Sequence, residues 1–201
     1  LIDQQDKVRL LIDPTSSYAQ AAAMAMGRAM DDVIIAAATG TAFTGETGAT
    51  STAAQTAIAA GGAGLTIAKL RTAKQTFDLA SVDPSIPRHI VVGPEQITNL
   101  LSTTEVTSSD FNTVKALVQG EIDSFLGFKF TVSNRLAKSG NDRTCIAFAQ
   151  DGITLAIGKD VSARIDERAD KSYATQVYYC QSIGATRMEE AKVLGIVCQE
   201  A

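Results

Sequence analysis

One histidine, three cysteines and four prolines are spread over 201 residues, and 18 basic residues face 22 acidic ones, for a formal charge of −4. Each scarcity removes a class of function. Without a basic excess there is no electrostatic drive toward a phosphate backbone, which argues against a free-standing nucleic-acid reader. No window approaches the 18 consecutive apolar residues that a membrane helix needs, and the opening LIDQQDKVRL lacks the basic start and apolar core of a secretion signal. Cys145, Cys180 and Cys198 are odd in number, widely spaced and set in apolar, strand-like segments, never as C-x-x-C. They read as buried, reduced thiols rather than as a metal site or a disulfide framework.

What remains is the composition of an ordinary folded chain, 45% hydrophobic and 20% charged. At this length folding buries about 70% of the surface that the extended chain exposes, so no staple is required. One or two subdomains are expected.

The strongest local pattern runs from Asp13 to Thr50, an alanine-rich helix that breaks into a Gly/Thr loop. Asp13 suits the N-cap and Pro14 the first helical position, whose N–H would be unpaired in any case. From Thr15 to about Thr39 only Gly27 and the β-branched run Val33, Ile34, Ile35 weaken the helix propensity. The helix is therefore predicted at about 24 residues, roughly twice the mean length, with Gly40 ending it. Its alanines, Ala21 to Ala29 and Ala36 to Ala38, allow a sheet or another helix to approach closely.

Ser51 to Gly64 is low in complexity, and the Gly61-Gly62-Ala63-Gly64 break reads as a hinge or loop. Ile67, Leu70, Ala73, Phe77 and Ala80 then recur at helical spacing, with Lys69, Arg71, Lys74 and Gln75 off that stripe. Asp83-Pro84 and Pro87 stop this second helix. His89 to Val92 has the size of a buried strand, and Pro94-Glu95 opens a third helix with Ile97, Leu100 and Leu101 inward. Ser102 to Asn112 reads as an exposed loop and Thr113 to Gln119 as a short helix. Strands are predicted for Phe128 to Val132, Thr144 to Ala149, Val161 to Asp166, Tyr173 to Met188 and Lys192 to Cys198. Alternation gives the first and third of these one wet face each. Tyr173 to Met188 exceeds the usual strand length, so it is expected to curve or to cross between subdomains.

Three features invite a catalytic reading. Gly40-Thr-Ala-Phe-Thr-Gly45-Glu46-Thr47 fits the phosphate-loop spacing G-x-x-x-x-G-K-[ST] except that Glu46 replaces the lysine. A glutamate there repels phosphate, and a phosphate loop follows a strand and opens a helix, whereas this one follows a helix. A small nucleotide-binding enzyme using residues 40–47 is thus a remote alternative, and a turn is the default. His89 has no nucleophile or orienting carboxylate in a recognisable motif, so it reads as structural. Asp31-Asp32 and Glu189-Glu190 are adjacent pairs whose side chains diverge on a helix or a strand, which suits salt bridges better than a shared metal. The mixed-sign segment of Arg164, Asp166, Glu167, Arg168, Asp170 and Lys171 suits a surface that meets copies of itself. No catalytic, cofactor-binding or metal-binding residue is assigned.

The capped long helix, its GTAFTGETGAT loop and the stretch DKSYATQVYYCQSIGATRMEE together resemble the major capsid proteins of tailed bacteriophages, and the resemblance covers nearly the whole chain. It implies an α+β chain of the Hong Kong 97-type fold. Residues 1–64 would belong to the peripheral (P) domain, with the spine helix at about 14–39. Residues 65–155 would form mainly the axial (A) domain, and 156–201 would return to the P domain as strands. The family's N-terminal arm and extended loop precede the spine helix, and residues 1–12 leave almost no room for them. The resemblance further implies a structural protein whose copies form the pentamers and hexamers of an icosahedral shell, assembled in the host bacterial cytoplasm. Scaffolding and portal proteins are the implied partners, with double-stranded DNA enclosed without sequence-specific contact and no membrane involved. A compartment shell of the encapsulin kind, enclosing cargo instead of DNA, is the alternative on the same fold.

Overall fold

The computed structural model describes residues 2, 15–102 and 124–200. Asp13 and Pro14, the predicted start of the long helix, lie outside the described residues, as do all but the first residue of the predicted loop Ser102–Asn112 and the whole of the predicted helix Thr113–Gln119. By chain contacts the protein divides into two compact units. Residues 1–34 and 155–185 form the first, and residues 35–154 and 186–201 the second.

Helix α1 spans Thr15–Thr39, as the propensities predict. Gly40 ends it through close approach rather than through a left-handed φ. Its N–H donates to the Ala36 carbonyl at 2.8 Å, and a Cβ on Gly40 would lie 2.7 Å from that same oxygen. The loop that follows is more ordered than its composition implies, because β1 (Ala42–Thr44) and β2 (Thr50–Thr52) pair antiparallel. Gly45 and Gly48, with φ of +88° and +65°, make the turn between them, a backbone region that penalises a Cβ.

In the first unit, β8 (Ile153–Arg168) and β9 (Ala174–Arg187) form a two-stranded ribbon. At about 3.3 Å per residue, strands of 16 and 14 residues reach roughly 50 Å. β9 begins one residue later than its sequence pattern, since Ser172 and Tyr173 make the turn with φ of 52° and 58°. The predicted strand Val161–Asp166 is only the middle of β8, and the expectation of one wet face fails there, since every residue from Ala156 to Glu167 is exposed except half-buried Ser162. One face of β9 meets α1: Tyr179 Oη donates to the Ala19 carbonyl at 3.1 Å and Gln181 Nε2 to that of Met26 at 3.3 Å.

The second unit is built on a six-stranded sheet. Its strands run in the order β10 (Val193–Gln199), β7 (Asp142–Ala149), β3 (Arg88–Val92), β5 (Phe128–Val132) and β4 (Ser124–Phe125), with β6 (Lys138–Ser139) also on β7. β3 and β5 are parallel and the other ladders antiparallel. Two helices complete it, α2 (Ile67–Leu79) and α3 (Pro94–Leu101). Thr66 caps α2 by accepting from the Lys69 N–H at 3.4 Å. The predicted stripe of Ile67, Leu70, Ala73 and Phe77 is buried, whereas Ala80 falls in the cap and is exposed. Phe77 meets Phe128 of β5 with ring centroids 6.0 Å apart, and Ile90, Val92, Leu100, Cys145 and Ile196 complete a fully excluded core. The low-complexity segment after β2 is tied down at Ile58, whose N–H donates to the Gly195 carbonyl and whose carbonyl accepts from the Val197 N–H.

Candidate assembly surface

The predicted chemical features fall into separate places. The 40–47 loop follows α1 and carries Glu46 on an exposed turn, without a preceding strand. His89 is half-buried and stacks on Phe148, its cross-strand neighbour, with centroids 5.6 Å apart. Glu189 and Glu190 reach different cations, Lys192 at 3.0 Å and Arg187 at 3.9 Å. Arg168 and Asp170 pair with each other at 2.8 Å in the mixed-sign segment. Among the described residues no cluster of three or more His, Cys, Asp or Glu side chains is arranged to hold a metal ion.

All three thiols are free. Cys145 and Cys198 are buried as expected, on the same face of adjacent strands. Contact with Cys198, reinforced by burial, pushes the Cys145 thiol up, and the hydrogen bond from Cys145 lowers that of Cys198. Cys180 departs from the expectation. It is half-buried on the ribbon, on the alternate side of β9 from Tyr179 and Gln181, and the Lys159 ammonium beside it lowers its pKa.

The side chains that hold the second unit together were hidden from pattern reading because their partners are distant backbone carbonyls. Arg187, 3% exposed, donates through Nη1 to the carbonyls of Ala38 at 3.1 Å and Gly40 at 2.8 Å, and through Nη2 to that of Thr52 at 3.0 Å. It places a cation on the C-terminal carbonyls of α1, where the helix dipole favours positive charge. In the sequence its one hint of burial is its phase, since Arg187 falls on the same alternate strand positions as the apolar residues Val177, Tyr179 and Ile183. Lys69, off the apolar stripe in sequence, is nevertheless buried, and its ammonium donates to the carbonyls of Ala63, Gly64 and Val197 at 2.7, 2.8 and 3.0 Å. Glu200 is buried among Arg143, Lys138 and Gln96. The donors on Arg143 and Lys138 hold its carboxyl at about 2.

The first unit, by contrast, leaves apolar surface uncovered. Ile157, Val161 and Ile165 recur at every fourth residue of β8, a spacing that puts them on one side of a strand, and all three are exposed. Tyr18 and Met24 of α1 and Tyr178 of β9 are exposed as well. On α1 a half-buried row runs through Ala19, Ala22, Met26, Met30 and Val33, while Ala21, Ala23, Ala25 and Ala29, expected to meet a neighbouring element, face outward. A two-stranded ribbon needs further strands or a covering layer on its apolar surface, and α1 meets only one face of β9, leaving the β8 row exposed. This surface is therefore suited to burial against further protein.

The sequence profile of a family described as phage capsid protein matches residues 1–200. No curated protein sequence matches the chain. Among solved structures, one from Mycobacterium phage Che8 aligns with a TM-score of 0.70 at 21% identity over 98% of this chain and 67% of that one. The capsid of cyanophage P-SCSP1u gives 0.71 at 16% identity, over 100% of this chain and 70% of its own. The capsid of Ralstonia phage GP4 gives 0.71 at 12% identity, over 100% and 71%. At such identities the likeness establishes the fold.

Proposed function

Because this chain belongs to the phage capsid protein family, we propose that many copies of it tile the closed icosahedral shell of a tailed-bacteriophage head. The observation that carries this reading is the exposed apolar row of β8, together with the outward alanines of α1. That surface is extended, balanced in charge sign and uncovered in one copy, as a tile that finishes burying itself against its neighbours requires.

In this reading α1 and the β8–β9 ribbon make up the P domain, and the six-stranded sheet with α2 and α3 makes up the A domain. The ladder between β10 and β7 supports placing β10 with the A domain, although it lies within residues 156–201. Pentamers and hexamers are the proposed capsomers, assembled in the host cytoplasm with scaffolding and portal proteins. The role is structural, with no catalytic residue. The shell would enclose double-stranded DNA without reading its sequence, in keeping with a net charge of −4.

Sedimentation of the full-length gene product after expression tests the proposal. A fast-sedimenting, uniform particle is expected; a product that stays at subunit or small-oligomer size at all concentrations would overturn it.

A further inference from the structure

The two edges of the six-stranded sheet carry complementary features at the same end. β3 starts at Arg88, β5 at Phe128 and β10 at Val193, while β7 finishes at Ala149, so the segments that feed these strands share that end. The ion pair of Arg88 with Asp78 at 2.8 Å draws the last turn of α2 there too.

At the β5–β4 edge lies an open groove of about 480 Å³ lined by Arg71, Lys74, Gln75, Asp78, Leu79 and Leu126. Leu79, at 78%, is the most exposed large apolar side chain among the described residues. Asp78 is engaged by Arg88, whereas Arg71 and Lys74 form no ion pair among the described residues. The groove is thus apolar with an uncompensated basic rim.

Where β7 finishes and β10 starts, the opposite arrangement occurs. Met188 is 61% exposed, and its N–H donates to the Gly152 carbonyl at 2.9 Å. Around it, Asp151 and Glu189 share the single ammonium of Lys192, at 2.7 and 3.0 Å. Two carboxylates on one lysine leave this apolar knob with a net acidic rim. Four interstrand spacings separate the two edges, about 19 Å at about 4.8 Å each.

A two-fold contact uses one and the same patch on both copies, whereas this knob and this groove of opposite charge lie at separated places on the sheet and do not form a single patch. They match when copies are placed edge to edge in one sense, the heterologous arrangement that closes into rings. We propose that Met188 and its carboxylate rim dock into the Lys74–Leu79–Leu126 groove of a second copy, so that this contact repeats around each ring of subunits. The inference rests on the capsid reading above and names the residues of one contact within it.

A charge swap in the full-length gene product tests it, with assembly followed by light scattering against subunit concentration and folding checked by circular dichroism. Lys74→Glu and Glu189→Lys should each raise the concentration for half-assembly about tenfold or more, since each sets like charges face to face. The double variant should return to within about threefold of the unaltered protein. If a reversal unfolds the chain, Met188→Ser, which removes only an exposed side chain, reads the same contact and should weaken assembly by about tenfold. Single variants that assemble normally, or a double variant no better than the weaker single, overturn the contact while shells still form. An unaltered protein that forms no shells sinks the capsid reading instead, and the contact with it.

Discussion

The guanidinium of Arg187 donates to the carbonyl of Gly40 at 2.8 Å, joining the end of the last long strand to the residue that terminates the spine helix. The same group also serves Ala38 and Thr52, so one side chain satisfies carbonyls from the helix end and from β2. Replacing it by Met keeps volume but strands those acceptors. Arg187→Met should cost about 3 kcal/mol or more and lower the melting temperature, with Arg187→Lys recovering only part, because an ammonium cannot reproduce the planar fork. Thermal melts of the two variants check this.

Glycine at the helix end and glycine in the hairpin turn should fail for different reasons. Gly40→Ala drives a Cβ against the Ala36 carbonyl, a backbone atom that cannot swing away, at an expected cost of about 1–3 kcal/mol. Gly45→Ala has open space but keeps a φ of +88°, for about 1 kcal/mol of strain. Urea unfolding of both variants, with Gly27→Ala as an unstrained control that should be neutral or stabilising, separates the two causes.

These positions also show what could be read in advance. α1 and α2 were legible because apolar spacing, Gly40 and the Asp83-Pro84 stop agree with one another at the level of local sequence. The buried cations Arg187 and Lys69 were not, since their partners are carbonyls up to 149 residues away and leave no pattern in the chain. β1 and β2 escaped because three residues are too few to alternate. The wet-on-both-sides course of β8 contradicts an alternation that is plainly present. The alternation describes a face that this chain alone does not cover, and so it was the most informative mismatch.

Acid should loosen the second unit through Glu200. Its carboxyl sits at about 2 in the folded protein against an ordinary 4.5, so the unfolded chain takes up the proton first. The stability it contributes is complete above pH 4.5 and is lost as the pH falls toward 2. Glu200→Gln should be less stable than the unaltered protein at pH 7, and the difference should shrink steadily across that window. Denaturant melts at pH 7, 4 and 3 would reveal it, and a constant difference would contradict the assignment.

The thiols should react in two classes. Cys180, half-buried beside Lys159, should be labelled by a disulfide reagent well before Cys145 and Cys198, which should react only on unfolding. Mass spectrometry of peptides from native protein quenched at intervals gives the order. In assembled particles the labelling of Cys180 should slow if the ribbon is covered there by a neighbour.

Electron cryomicroscopy of particles purified after expression of the full-length gene product tests the central claim most directly. The account predicts closed icosahedral shells whose repeated unit contains α1 and the β8–β9 ribbon, with Ile157, Val161 and Ile165 buried against adjoining protein. Failure to form closed particles, or shells in which that row still faces solvent, would contradict it.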